Sequence, residues 1–435
     1  NWDMLVVGGT VWTMEEDTEP IKNGAVAVAD GRIAAVGPAE ELLEMAPSGD
    51  VLNAGNCLVL PGLINTHSHL AMTLFRGIAD DLPLMQWWEP HIWPAEKQHM
   101  NRESVRLGTE LAAAELLLAG VTTTADMYFF GDEVSAVLAE AGMRGVVAES
   151  LIDFATPRCS GPDEMCEKQL ELIDTYRDHP LITPSIAAHA PYSVSAANLV
   201  MEAEMAEEHE VPFQIHLSET TWEVEKLLAD KGMTPVAYLA DLGILSDRVV
   251  AAHCVHVAPE DVELLAEFEA NVSHNPVSNL KLASGISPVP AMIEGGVTVG
   301  LGTDGAASNN TLDLLRDVQL AALLHKVATG DPTALPARLA LEMVTTRGAE
   351  VLGLDTIGTL REGLEADLIC VAVDGPHTAP MYDPVSHLIF AARSSDVRHV
   401  MVRGQVLVRN RVLQTLDAER IQAQAREFSE IVAGS

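Results

Sequence analysis

Cysteine is scarce in this chain and never closely paired. The five residues, Cys57, Cys159, Cys166, Cys254 and Cys370, are scattered, odd in number and form no C-x-x-C motif. Disulfide scaffolding and a thiolate zinc site are therefore poor explanations of the fold, and a reducing cytoplasm is the expected compartment. Uninterrupted apolar runs of about 18 residues are also missing, so no membrane-spanning helix is expected. Residues 1–9 read as a strand and a turn, without the basic and long apolar regions of a secretion signal. The chain does not start with Met, which leaves a removed leader open. Basic residues are few: 26 Lys and Arg face 63 Asp and Glu, a formal charge of −37. Such a surface repels nucleic-acid backbones and anionic membranes, and solubility is its ordinary explanation. Internal repeats, low-complexity tracts and long linkers are absent. What remains is 435 residues, 48% hydrophobic, enough for a large core and a smaller appended unit.

Residues 1–57 read as short β segments at 4–7, 11–14, 24–29 and 33–36, with Asp30-Gly31 as a hairpin signal. The far end is alike: 368–373, 397–402, Arg403-Gly404 and 406–408. Neither end alone buries a core, so the two are expected to pair into one small β-sandwich. Its predicted limits are 1–57 plus 355–435, with a C-terminal helix. Between them, from 58 to 354, apolar β-like runs alternate with amphipathic helical stretches. The runs fall at 58–64, 121–124, 145–148, 182–187, 212–215, 249–252, 270–272 and 298–301. Alternation of this kind implies parallel strands with crossover helices, and eight runs suggest a (β/α)8 TIM-type barrel with its chemistry at the C-terminal strand ends. An open, doubly wound sheet is the competing architecture.

Several of those runs end in metal-binding residue types. The first closes in His67-Ser68-His69, and side chains at i and i+2 of a strand share a face, so both imidazoles can reach one ion. Further on, 212–215 leads into His216, with Glu219 three residues later. The run 249–252 leads into His253, and 298–301 leads into Asp304. Each alone is more often a hydrogen-bonded structural residue; four apolar strands ending this way point to a site. His67, His69, His216 and Asp304 offer nitrogen and oxygen to a divalent ion, Zn²⁺ first, with Fe²⁺ and Mn²⁺ as alternatives. Such an ion lowers the pKa of bound water from roughly 15.7 to about 7. His253 and Asp304 are placed to hold that water or take its proton, and Glu219 to carry a proton to the leaving side. His256 is read as a neighbour of the site.

The motifs P-G-L-I-N-T-H-S-H, H-L-S-E, A-A-H-C-V-H, S-H-N-P-V-S-N-L-K-L-A-S-G and G-T-D-G-A-A-S-N-N together resemble the amidohydrolase superfamily. More narrowly they resemble its 5'-methylthioadenosine/S-adenosylhomocysteine deaminase branch, over nearly the whole chain. The resemblance implies a metal-containing (β/α)8 barrel, metal binding at His67, His69, His216 and Asp304, and proton transfer at Glu219. Two-metal members carry a bridging modified Lys on a middle strand. The matching stretch here ends in His189-Ala190-Pro191-Tyr192-Ser193 and has no Lys, which implies one metal. His189 resembles the family's substrate-contacting His; its plain alternative is a capped structural residue in a turn.

On the substrate side, Trp87, Trp88 and Trp93 crowd one segment although the chain has only six Trp. Trp87 is the candidate for stacking on a flat heterocycle, and Trp88 and Trp93 are expected to pack the loop onto the barrel. Glu96 matches the position where the family binds ribose hydroxyls, a role that suits a carboxylate accepting two hydrogen bonds; an exposed Glu at a helix start is the alternative. A homocysteine carboxylate would want a cationic partner, ideally Arg, and the resemblance implies one in the stretch matching 142–149 of relatives that accept it. Here the position wanted basic is Glu149, and Arg158 lies nearby in a loop. The uncharged methylthio compound, or adenosine, is thereby favoured over S-adenosylhomocysteine.

The expected activity is hydrolytic deamination of a 6-aminopurine nucleoside to the inosine-type product and ammonia. The rival is another aminohydrolase or chlorohydrolase acting on a free guanine, pterin or s-triazine ring. A non-catalytic interaction protein on an inherited barrel is disfavoured because every expected ligand is present. The partner is a small molecule, not nucleic acid or membrane, and self-association is left open.

Overall fold

The computed structural model describes residues 2–16, 18–45 and 49–434, so the outermost limits expected for the appended β unit, residues 1 and 435, lie outside the described residues. Both chain ends build one sheet. Met4–Val11, Ile21–Ala29, Arg32–Pro38, Asp50–Asn53 and Cys57–Pro61 come from the start, and Leu368–Ala372, Val397–Val402, Gln405–Arg409 and Val412–Leu413 from the end. They meet where Cys57–Pro61 pairs antiparallel with Leu368–Ala372. Val6, Val26, Leu52, Leu368 and Cys370 lie within the core of this sheet. Asp30-Gly31 and Arg403-Gly404 turn their hairpins with positive φ at both residues (52° and 74°, 45° and 75°), as two-residue turns between twisted strands require.

The second sheet is the barrel. Its parallel neighbours run Leu63–Asn65, Val121–Tyr128, Arg144–Leu151, Ile186–Ala188, Phe213–Leu217, Val249–His253, Asn271–His274 and Val299–Leu301. The fourth position is split, because Ile182–Pro184 pairs separately with Arg144–Leu151. Closure between the last strand and the first comes from Thr66 N–H donating to Leu301 O (3.1 Å). Asn65 and Thr303 reinforce it with a reciprocal pair, Nδ2 to Oγ1 at 2.8 Å and N–H to Oδ1 at 2.9 Å.

One expectation needs correcting. The apolar run 58–64 is not a single barrel strand, and the change from appended sheet to barrel does not fall between 57 and 58. Cys57–Pro61 belongs to the appended sheet and only Leu63–Asn65 to the barrel. Gly62 lies between them, where a Cβ would overlap the Thr122 side chain. Only glycine lets the chain cross so close to its neighbour. Hydrophobicity cannot register this change, since both halves are buried.

After the barrel, Ala418–Ala433 lies against Arg102–Leu118, tied by Arg420 to Glu110 at 2.9 Å. None of the described helices is long and apolar enough to cross a membrane. All five cysteines are free.

Candidate active site

The converging side chains leave the C-terminal ends of four different barrel strands. His67 and His69 follow Leu63–Asn65, His216 lies within Phe213–Leu217, His253 ends Val249–His253, and Asp304 follows Val299–Leu301. At this rim the backbone turns sharply. Ser218, His253, Cys254 and Asp304 have φ of 51°, 78°, 42° and 61°. Non-glycine residues held there cost about 1–3 kcal/mol each and cluster where function requires the geometry.

Hydrogen bonds fix which imidazole nitrogen faces inward. His69 Nδ1 donates to Met127 O at 2.6 Å and His216 Nδ1 to His189 O at 2.7 Å. A carbonyl only accepts, so Nδ1 carries the proton and Nε2 keeps its lone pair. Those two Nε2 atoms face each other at 3.2 Å. His67 Nε2 is buried without a hydrogen-bond partner, 3.5 Å from Asp304 Oδ1; His69 Nε2 is 3.3 Å from the same oxygen. Lone pairs aimed at one another are unfavourable unless a cation lies among them, and this nitrogen and oxygen set fits a divalent metal ion. Candidate groupings bring together His67, His69 and Asp304, and His67, His216 and His253. Burial pushes His67 down to about 4, and also lowers His69 and His216, so all three imidazoles are neutral at pH 7.

Beside this set stand two groups poised for proton work. His253 Nδ1 bonds Asn279 Oδ1 at 2.8 Å, and its Nε2 is 3.6 Å from Glu219 Oε2 and 4.0 Å from Asp304 Oδ2. Burial opposes a charge on His253, but Glu219 and Asp304 outweigh it and its pKa lies above the ordinary imidazole value. Burial raises the Glu219 pKa above the ordinary carboxyl value, against the pull of His253. Asp304 accepts from Ser278 Oγ at 2.6 Å, Ser308 Oγ at 3.0 Å and Gly305 N–H at 2.7 Å. His256 bonds Ser284 O at 2.5 Å instead and does not line the cavity, as a neighbour should.

The cavity above these residues joins the two ends of the substrate reading. Trp87, Trp88 and Trp93 all line it, together with Glu96, Tyr128 and His189. Glu96 is buried, not an exposed helix start, and Tyr128 OH donates to its Oε1 at 2.6 Å. Trp88 packs parallel to the His189 ring, 5.6 Å between centroids and 17° between planes, as expected of a loop residue laid onto the barrel. His189 is further held by Ser193 Oγ at 2.7 Å.

Arg158 is a correction. It does not line the cavity; its guanidinium bonds Glu149 at 2.9 Å and Asp132 at 2.5 Å and lies over the Phe130 ring. Two carboxylates neutralise it, and the residue that replaced the expected base, Glu149, is one of them. Sequence inspection also passed over Tyr128, Asn279, Ser278 and Ser308. The last three sit inside the motifs S-H-N-P-V-S-N and G-T-D-G-A-A-S-N-N, so position in a motif was the available signal.

Strand tips carrying inward Nε2 atoms, a buried aspartate and a non-ligand glutamate define a metal-dependent hydrolase site. The amidohydrolase family model matches residues 58–407, and an imidazolonepropionase-like composite-domain model matches 24–48. The chain belongs to the amidohydrolase family. Within it the chain falls among the hydrolytic deaminases. It is 48% identical to the 5-methylthioadenosine/S-adenosylhomocysteine deaminase of Syntrophobacter fumaroxidans, over 99% of this chain and 98% of the relative. It is 42% identical to the 5'-deoxyadenosine deaminase of Methanosarcina acetivorans, over 98% of each. Among solved structures it is similar to a zinc-bound adenosine deaminase from Xanthomonas campestris, with a TM-score of 0.98 and 38% identity over 100% of this chain and 99% of that one.

Proposed function

We propose that this protein deaminates a 6-aminopurine nucleoside, with 5'-methylthioadenosine as the leading substrate. Water replaces the 6-amino group, giving the 6-oxo product and ammonia. One observation carries the proposal: a buried, inward-facing Nε2 cluster with a non-ligand glutamic acid at the floor of an aromatic cavity.

His67, His69, His216 and Asp304 would hold one divalent ion, zinc by their mixed nitrogen and oxygen chemistry. When bound, such an ion acts as a Lewis acid that makes water nucleophilic near neutral pH. Glu219 donates its proton to the purine ring nitrogen next to the carbon under attack. That step makes the carbon electrophilic, and the raised pKa of Glu219 suits it. His253, held by Asn279, takes a proton from the attacking side, and Asp304 and Glu219 stabilise its charge. Glu96 accepts the ribose 2'- and 3'-hydroxyls, with Tyr128 fixing its orientation. Trp88 and Trp87 close over the base, and His189 fixes its plane.

No Lys or Arg lines the cavity among the described residues, and Arg158 is already neutralised. An uncharged 5' substituent therefore fits better than a homocysteine carboxylate, and the deaminases similar to this chain span both kinds by name. Unpaired cysteines agree with work in the cytoplasm. The test is ammonia release and loss of adenine absorbance from metal-loaded protein given adenosine, 5'-deoxyadenosine, 5'-methylthioadenosine and S-adenosylhomocysteine. Turnover of the methylthio compound at the highest kcat/KM is expected. No turnover of any of the four rejects the proposal.

A further inference from the structure

Thr220-Thr221-Trp222-Glu223 has the T-x-x-E pattern of a helix capping box. Half of it forms: Thr220 Oγ1 accepts from Glu223 N–H at 3.2 Å at the start of Thr221–Lys231. In the standard box the glutamate would reach back to the N–H of Thr220. Here it goes further. Glu223 Oε1 accepts from Ser218 N–H at 2.9 Å and Oε2 from Glu219 N–H at 2.8 Å. The carboxylate is only 1% exposed, so both bonds are shielded from water.

Ser218 and Glu219 are the two residues at which the chain leaves the strand bearing His216. Ser218 stands at φ 51°, a conformation a serine does not favour, and its own hydroxyl has no partner. Nothing in its side chain holds it there. Its carbonyl is occupied by Val255 and His256 N–H groups at 3.0 and 2.9 Å, and its N–H by Glu223. Losing Glu223 leaves the peptide between 218 and 219 held at its carbonyl alone, with both flanking N–H groups released, and that peptide sets the direction of the Glu219 side chain.

We infer that Glu223 is a positioning residue for proton transfer: its carboxylate grips the Ser218 and Glu219 amides and holds the left-handed turn that aims Glu219 at the purine ring. The role rests on the deaminase function proposed above. Glu223 does not line the substrate cavity and is not among the metal-grouped residues, so it acts through the turn it holds. An asparagine or glutamine could not do the same, because an amide presents one acceptor and one donor to two donating N–H groups.

The experiment compares parent and Glu223→Gln for kcat, KM, bound metal and hydrogen exchange at the Ser218 and Glu219 amides. Expected are a 10- to 100-fold fall in kcat, KM within about threefold, unchanged metal content and at least tenfold faster exchange at those two amides. Adding Ser218→Gly to the variant should recover part of kcat, since glycine adopts positive φ without strain. A kcat within threefold of the parent overturns the inference. So does a fall in kcat matched by metal loss, or amides that stay protected. If Glu223→Gln does not accumulate folded, Glu223→Asp decides: one methylene shorter, it keeps the charge but reaches at most one amide, and the same outcomes apply. A parent without deaminase activity sinks the proposed function instead, and the exchange result then still decides whether the grip exists.

Discussion

At the N-terminal end of the barrel strands, Arg144 lies between Asp367 at 2.9 Å and Glu365 at 2.6 Å, and its remaining nitrogen donates to Pro180 O. Arg403 adds an ion pair to Glu365 at 3.1 Å. Every charge there has a partner, and the partners come from the appended sheet. At the opposite end, His67 Nε2 has no partner, the His69 and His216 lone pairs face each other, and four non-glycine residues hold positive φ. One end spends its buried polarity on joining two sheets; the other leaves it unsatisfied for something that is not protein. The contrast teaches where to look: buried charge that is paired speaks of assembly, and buried lone pairs that converge speak of chemistry.

The sharpest way to break the contrast is Glu219→Gln. Its kcat should fall by about 10²–10⁴-fold, with bound metal and thermal midpoint unchanged. A large drop in melting temperature would show that the rim is structural after all. Arg144→Met probes the other end and should do the reverse. Removing Arg144 takes from the buried Asp367 its only guanidinium and leaves Glu365 to Arg403 and the more exposed Arg32, at a cost of about 3–5 kcal/mol in denaturant unfolding. The folded fraction should keep its parental kcat; a matching loss of turnover would dissolve the distinction between the two ends.

Smaller effects test the cavity wall between them. Glu96→Gln should raise KM for nucleosides by about 10- to 100-fold with kcat changed only a few-fold, the worth of charge-assisted bonds to a diol. An unchanged KM would return the ribose role to the plain packing alternative. Smallest is a pH effect. Burial pushes Glu96 from its ordinary 4.5 to about 8, against the Tyr128 hydrogen bond. In the free protein it is protonated at pH 7, whereas gripping two hydroxyls favours the carboxylate, so binding releases a proton. Nucleoside affinity should rise with pH, by up to about tenfold per unit, and level off above about 8. The folded chain also holds this proton while the unfolded chain has lost it. The contribution of Glu96 to stability thus falls between about 4.5 and 8 as pH rises. A flat pH profile for binding in the parent, or the same slope in Glu96→Gln, would contradict this.

The barrel and its ligand strands were legible in the chain because each strand is buried on both sides and ends abruptly in a polar residue, a pattern that needs no partner to be seen. Positions that depend on a distant partner were not. Arg158 reads as a free cation until Glu149 and Asp132 are brought against it. Trp88 reads as packing, but that its packing partner is His189 shows only once the two rings are brought together. Glu223 reads as an ordinary helix cap, since one-dimensional spacing does not tell which amide its carboxylate meets. The switch at Gly62 was hidden for a related reason: apolar sequence is the same on both sides of it, and only the approach of Thr122 sets it apart.

That glycine has a consequence for synthesis on the ribosome. Cys57–Pro61 leads straight into the strand before His67, yet its antiparallel neighbour Leu368–Ala372 emerges only after the whole barrel has been made. Until then the nascent chain carries an apolar strand with one side unpaired, the kind of edge that recruits other chains. Cover for that edge during synthesis, by a chaperone or by the barrel helices, is what this order of events leads one to expect.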